Sequence, residues 1–466
     1  MATQQSSATM PRVQVRPAAP PVGRRLRGLI ETRPAMIRLS GALVVLATLL
    51  FGLVCGADYL DLRQAVQTVG RDSEPSIVAA EHIRATLADA HGAAVNAFLT
   101  GEADAGANWT SYRRDMDDVH NSLVEAAENI TYGDEERQPI LTVMTGIGQY
   151  ERLVGQARGH ARPEAKADLD AADTLMSSTI LPAASALDQA NFQHLTATYD
   201  SHRQRFFEAR AVTVVLGLLT LAALGWSQFY LAARTRRLLN AGLLAAAVVL
   251  AGFTIYSLSA LSATEAALRL AKQDAFDSVH ALWKARAVAY EANTDESLLL
   301  YDRGDKAVQD NRTTVFTKQA QAIAAGDIDQ DLQEAAANRK FGGFLGDELA
   351  NITFPGERDA ALATLGAWAR YLRIDGQIRL LDAQTRAADA LALHIGAKPE
   401  QASGAFLQFD QALGKTLDIN QREFDRAIDQ AFALLTPYPY ALAGALLLII
   451  LATLAGLKPR LDEYRF

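Results

Sequence analysis

Four apolar runs, residues 39–57, 211–233, 238–258 and 437–457, contain no Lys, Arg, Asp or Glu. Each is close to the ~20 residues a helix needs to cross a bilayer core. They place transmembrane helices at 37–57, 211–233, 238–258 and 437–457. The intervening segments are unequal: 153 residues (58–210), four (234–237) and 178 (259–436). Large domains are therefore expected on one face of a membrane, with a tight turn and two tails on the other.

Lys and Arg in short loops mark the cytoplasmic side. The first 38 residues carry Arg12, Arg16, Arg24, Arg25, Arg27, Arg33 and Arg38 against Glu31 alone. The 234–237 turn adds Arg234, Arg236 and Arg237, and the tail has Lys458, Arg460 and Arg465 against Asp462 and Glu463. All three agree on cytoplasmic termini (1–36 a basic disordered tail, 458–466 a short one) and two extracytoplasmic domains, 58–210 and 259–436. Removing those 13 basic and 3 acidic residues from totals of 45 and 53 leaves 32 and 50, a net charge of −18 outside. An acidic exterior argues against nucleic-acid binding. Trp226, Tyr230, Tyr59, Tyr256, Tyr438 and Tyr440 stand at span ends, where interfacial anchoring is expected. Cys55 is the single cysteine and lies inside the first run, so no intrachain disulfide is available.

Both large segments read as helices. Ile77, Ala80, Ile83, Leu87, Ala90, Ala94 and Phe98 step by three or four, one face of a helix that Gly101 ends. Further helices follow over about 109–129 and 135–158, and a fourth after Pro163 runs to span 2, with a kink expected at Pro182. The second segment repeats the plan: a helix from about 262 to 300, Gly304, then about 306–325, about 355–395, and a last helix after Pro399. The expected fold is all-α: four transmembrane helices and two antiparallel four-helix bundles. The Gly-rich stretch 341–356 is expected to be irregular, either a docking loop or a buried lid.

No zinc-ligand spacing, P-loop, dinucleotide fingerprint or nucleophile elbow is present, so neither an enzyme, a cofactor nor a metal is expected. The eight His residues have no companion at chelating spacing, and Asp115, Asp117 and Asp118 read as a solvated helix face. Asn108, Asn129, Asn311 and Asn351 begin Asn-X-Thr tripeptides, a pattern common by chance. The uncharged spans give transport little support.

The order of span, helical bundle, span resembles the sensor domains of bacterial chemoreceptors and histidine kinases, and the stretch Ala97-Phe98-Leu99-Thr100-Gly101 is in their style. The tandem layout without an output domain resembles the GlnX-type membrane proteins of actinobacteria. That resemblance implies sensing of an amino acid of the aspartate/glutamate class. It also implies an extracytoplasmic solute-binding lipoprotein as partner and a soluble cytoplasmic serine/threonine kinase as recipient. Arg234, Arg236 and Arg237 are the candidate output surface, although they equally obey the charge rule. Direct ligand binding would use Arg286, Tyr290 and Asn293, which step along one stripe with an Arg able to meet a carboxylate, and Arg84 in the first segment. Val279, Leu282, Ala285 and Ala289 form an alternative core stripe that turns Arg286 to solvent. A non-enzymatic scaffold that forms a homodimer is the remaining reading. Arg24-Arg25-Leu26-Arg27 next to the membrane can bind anionic lipid, although topology signalling explains it equally well.

Overall fold

The computed structural model describes residues 33–160, 164–235, 239–327, 333–334 and 340–463. Fourteen helices run through these residues: α1 (Arg33–Gln67), α2 (Glu74–Thr100), α3 (Ala107–Glu128), α4 (Asp134–Gly159), α5 (Glu164–Leu175), α6 (Leu181–Thr235), α7 (Ala241–Arg269), α8 (Asp277–Tyr301), α9 (Lys306–Ile323), α10 (Gly343–Ala350), α11 (Glu357–Ala383), α12 (Ala387–Ile395), α13 (Ala402–Leu435) and α14 (Tyr438–Asp462). No strand occurs among the described residues; Ala325 and Gly342 form an isolated antiparallel bridge. Most of the basic tail lies outside the described residues.

Three π-helical turns, Thr68–Ser73, Met176–Ile180 and Leu270–Phe276, join α1 to α2, α5 to α6 and α7 to α8. Two of them immediately precede Pro75 and Pro182. Proline lacks the N–H that an α-turn uses and its ring crowds the carbonyl four residues back; a wider turn relieves both. The kink expected at Pro182 is thus absorbed as a π turn.

Two compact units result. One gathers the described residues up to Gly56, Ala209–Ser257 and Tyr440 onward; the other gathers Ala57–Glu208 and Leu258–Pro439. Four helical stretches, Pro34–Thr100, Glu164–Ala233, Ala241–Tyr301 and Ala402–Asp462, are long and apolar enough to cross a membrane. This is compatible with a multi-pass membrane protein. In the first unit small residues allow close helix approach, as in membrane bundles. A Cβ on Gly242 would lie 2.5 Å from the Ala452 carbonyl oxygen and 2.6 Å from the Gly456 Cα. Asn240 caps α7, its Oδ1 accepting from the Gly242 and Leu243 amides while its Nδ2 donates to the Gly456 carbonyl. Leu43, Leu46, Leu53, Leu218 and Leu447 remain exposed on this unit, as lipid-facing side chains would be.

Tyr59 and Tyr438 depart from their expected anchoring role. They stack face to face at 5.4 Å inside the second unit and are almost fully buried. Trp226 and Tyr440 are exposed.

The second unit gathers both large segments, Ala57–Glu208 and Leu258–Pro439. Helices α2 to α6 share one apolar core with Leu87, Trp109, Tyr112, Ile147, Tyr150 and Leu187. In the other segment Trp368, Tyr371, Phe406 and Phe409 pack together on α11 and α13. The segments join through α2 and α8, which pack extensively on one another. Val95 of α2 packs with Leu298 of α8.

Two of the Asn-X-Thr tripeptides are the same turn built twice. After Asn129-Ile130-Thr131-Tyr132, Gly133 has φ 71°, and Glu136 Oε2 accepts from the Thr131 and Tyr132 amides at 2.6 and 2.5 Å. After Asn351-Ile352-Thr353-Phe354, Gly356 has φ 83°, and Glu357 Oε2 accepts from the Thr353 and Phe354 amides at 2.6 and 2.7 Å. In each, the threonine hydroxyl donates to the Asn carbonyl oxygen.

The helix expected over 355–395 is broken into α11 and α12 at Thr385, the single described non-glycine residue with positive φ, at 61°. No Gly or Pro marks the break. It returns α12 so that His394 meets Ser297 at 2.9 Å. The 341–356 stretch also departs from irregularity: it contains α10, and Phe341, Leu345 and Phe354 are buried, as a lid would be.

Gly92 of α2 lies against Thr294 of α8, where a Cβ would sit 2.7 Å from Oγ1. Gly92→Leu is expected to force the helices apart at a cost of about 1–3 kcal/mol. Gly148→Ala, where a Cβ meets nothing within 4 Å, should be neutral or stabilising. Thermal unfolding of both variants checks the contrast.

Candidate functional site

A cavity of about 820 Å³ opens between the two halves of the second unit, walled by α2, α5, the following π turn and the start of α6 on one side and by α8 and α9 on the other. The sequence builds this place from conflicting demands. α2 presents Ala88 and Gly92 to Thr294 of α8, which lets the two backbones come close, while neighbouring positions carry charge. Thr294 Oγ1 donates to the Ala88 carbonyl at 2.9 Å, and beside it Arg84 Nε donates to Glu291 at 2.8 Å.

Arg312 of α9 is the centre of the cavity's polar wall. Its Nη2 donates to Asp173 at 2.6 Å and its Nη1 to Asp295 at 3.2 Å, while its Nε lies 3.4 Å from Asp302. Asp173 also faces His91 Nε2 at 3.2 Å, and His91 Nδ1 meets the Tyr150 hydroxyl at 3.0 Å. Gln319 donates to the second oxygen of Asp295. Burial alone would raise the Asp173 carboxyl, but His91 and Arg312 outweigh it and hold it down at about 2. Asp295 behaves oppositely: burial pushes it up to about 6 against the pull of Arg312. The wall therefore mixes two guanidinium groups with a surplus of carboxylates, Asp305 included.

The residues singled out from the sequence fall in different places. Arg84 lines the cavity. Arg286 does not; it forms a two-point ion pair with Asp410 at 2.7 and 2.8 Å, so a ligand carboxylate there would have to displace Asp410. Tyr290 packs edge-on against Phe406, and Asn293 accepts a 3.4 Å hydrogen bond from Tyr371. Val279, Leu282, Ala285 and Ala289 are fully buried, so the alternative stripe is the core face of α8. Arg234 lies at the end of α6, and Arg236 and Arg237 lie outside the described residues.

Sequence reasoning missed the histidine partners. All eight His residues lie within 4.0 Å of a carboxylate: His82 with Asp118, His91 with Asp173, His120 with Glu151, His160 with Asp168, His194 with Glu135, His202 with Asp61 and Glu265, His280 with Asp188 and His394 with Glu296. The Asp115 carboxylate, expected in solvent, is buried beside Arg114.

Residues 65–200 match the family model of the actinobacterial sensor domain. The match supports an actinobacterial sensor protein, and a sensor domain suggests a sensing receptor. It takes in the α2, α5 and α6 walls of the cavity; the α8 and α9 walls lie beyond it. No curated protein and no solved structure matches.

Several carboxyls of this unit resist ionisation. Burial pushes Glu74 and Asp89 up to about 7, the latter helped by Asp115 and Asp410. Burial also raises Glu348 to about 7 and Asp375 to about 6. An acid whose folded value is raised stabilises the fold below its unfolded value near 4 and loses that contribution as pH climbs through the folded value. The unfolding temperature of the purified chain is therefore expected to fall between pH 5 and pH 8. A flat or rising profile would show these carboxyls to be hydrated.

Proposed function

We propose that the chain is a transmembrane receptor whose larger, extracytoplasmic unit binds a small amino-acid ligand in the cavity around Arg312 and relays its presence inward. The cavity itself carries this reading: about 820 Å³ suits a small molecule, and ionic groups of both signs converge on it. A zwitterion can exchange with the internal pairs, its carboxylate taking Arg312 or Arg84 and its ammonium taking Asp295 or Asp305. Such an exchange leaves little net charge buried. The surplus of carboxylates makes the ammonium the dominant handle, so a neutral or basic side chain suits the wall better than the aspartate/glutamate class that the family resemblance implies.

The extracytoplasmic placement rests on the Arg residues of the tails and the 234–237 turn. Arg312 links α9 to Asp173 of α5 and Asp295 of α8. Withdrawing it from either partner would favour a different packing of those helices, and helix interfaces shift by ~1–2 Å between discrete arrangements. Because α6 and α7 both extend beyond the second unit and are separated by only five residues of sequence, a displacement of either would reach Arg234, Arg236 and Arg237. A soluble serine/threonine kinase is the candidate recipient. Direct binding is favoured over delivery by a solute-binding lipoprotein because a lipoprotein would not need an internal polar cavity.

Titration calorimetry on the full chain in nanodiscs, with aspartate, glutamate, glutamine, lysine and arginine, tests this. At least one should bind. Val315→Trp, which fills the cavity, should weaken binding at least tenfold, about 1.4 kcal/mol, whereas Arg286→Lys should not. Heat from none of the ligands, or equal affinity in Val315→Trp, refutes the assignment.

A further inference from the structure

Away from the Arg312 wall, three helices bring Glu81 of α2, Asp188 of α6 and His280 of α8 to one point. One ligand atom from each lies within 4.8 Å of the other two. The residues are 0, 2 and 9% exposed, so the point is dry. His280 Nε2 faces Asp188 Oδ1 at 2.8 Å. Its ring stacks on Phe192 at 4.3 Å and on Phe276 at 6.1 Å, which fixes the imidazole plane and leaves its edge for the carboxylates.

Glu81 is the unexplained member. Both of its carboxylate oxygens are buried without a hydrogen-bond partner. The nearest cation is Arg84, whose Nη1 is 3.5 Å away and whose Nε and Nη2 are committed to Glu291 at 2.8 Å. A buried carboxylate left so costs several kcal/mol. Two carboxylates and an imidazole thus converge from both halves of the unit, with the nearest guanidinium shared with Glu291.

We propose that Glu81, Asp188 and His280 form a binding site for a zinc-class divalent ion, which ties α2 and α6 of the first segment to α8 of the second. The donor set selects the ion. An imidazole nitrogen with two carboxylate oxygens suits zinc and its first-row neighbours, whereas calcium and magnesium take oxygen donors. Bonds of about 2.0–2.2 Å set neighbouring ligand atoms about 3.4 Å apart in a tetrahedron. The Asp188–His280 pair would open by roughly half an ångström and Glu81 would close in. A divalent charge neutralises the two carboxylates, and the fourth position is left for water. The ion would hold the two segments in one register, a role separate from the cavity ligand.

The test uses the tag-free full chain in nanodiscs, incubated with Zn²⁺, desalted, and assayed for metal by mass spectrometry. One ion per chain is expected, with a raised melting temperature and, for Co²⁺ in its place, visible d–d absorption of a low-symmetry nitrogen–oxygen site. Glu81→Gln removes the orphaned charge without changing shape, so it should fold while losing at least tenfold in affinity; His280→Gln should do the same. Retention of less than half an ion by the unaltered chain overturns the proposal. So does equal retention by Glu81→Gln and His280→Gln, which would place the ion on surface carboxylates.

Discussion

The close approach of α2 and α8 is the constraint on which the larger unit depends. Gly92 and Ala88 leave room for Thr294 to reach across and donate to the Ala88 carbonyl. Two backbones this near hold side chains on either flank at fixed separation. Arg84 then meets Glu291, and Glu81 comes beside His280. Widening the seam by one methyl group would disturb both at once, because protein interiors are close-packed and transmit strain.

Charge inside this unit serves geometry more than stability. Removing ions from water costs several kcal/mol each, and attraction between partners recovers that only with good geometry. The raised carboxyls of Glu74, Asp89 and Asp295 are the trace of incomplete recovery. On the proposed reading this is useful. A receptor needs two packings separated by only a few kcal/mol, and a seam of ion pairs with small net worth can be re-partnered by an incoming charge. An all-apolar seam offers a ligand no such exchange.

Helical periodicity was legible because each helix buries one stripe. Ile77, Ala80, Ile83, Leu87, Ala90 and Ala94 are all buried, and so are Trp109, Tyr112, Met116, Val119 and Leu123. The spans were legible because an apolar run of that length has few other uses. The polar site was not. His91 and Asp173 are 82 residues apart, and Arg312 and Asp173 are 139 apart. Spacing along one helix carries no information about partners on another. The Thr385 break was silent for a related reason: what stabilises it is the tertiary contact of α12, with no local Gly or Pro. The twin turns were present in the sequence as Asn-Ile-Thr, but a reading as chance tripeptides missed that a buried glutamate follows each.

The two helices that meet at the Arg312 cavity differ in sequence along their seam. Val95 against Leu298 sets an offset of 203 between α2 and α8. At that offset each polar wall residue on one helix corresponds to a small or differently charged one on the other: Arg84 to Ala287, Ala88 to Glu291, His91 to Thr294, Gly92 to Asp295, Glu81 to Lys284. Two identical copies related by a twofold axis would set Arg84 and its twin on opposite flanks, each without a Glu291 opposite, because both copies would carry Ala at that position. Two different segments in one chain avoid this, so that a charge on one helix finds its complement on the other, as Arg84 finds Glu291.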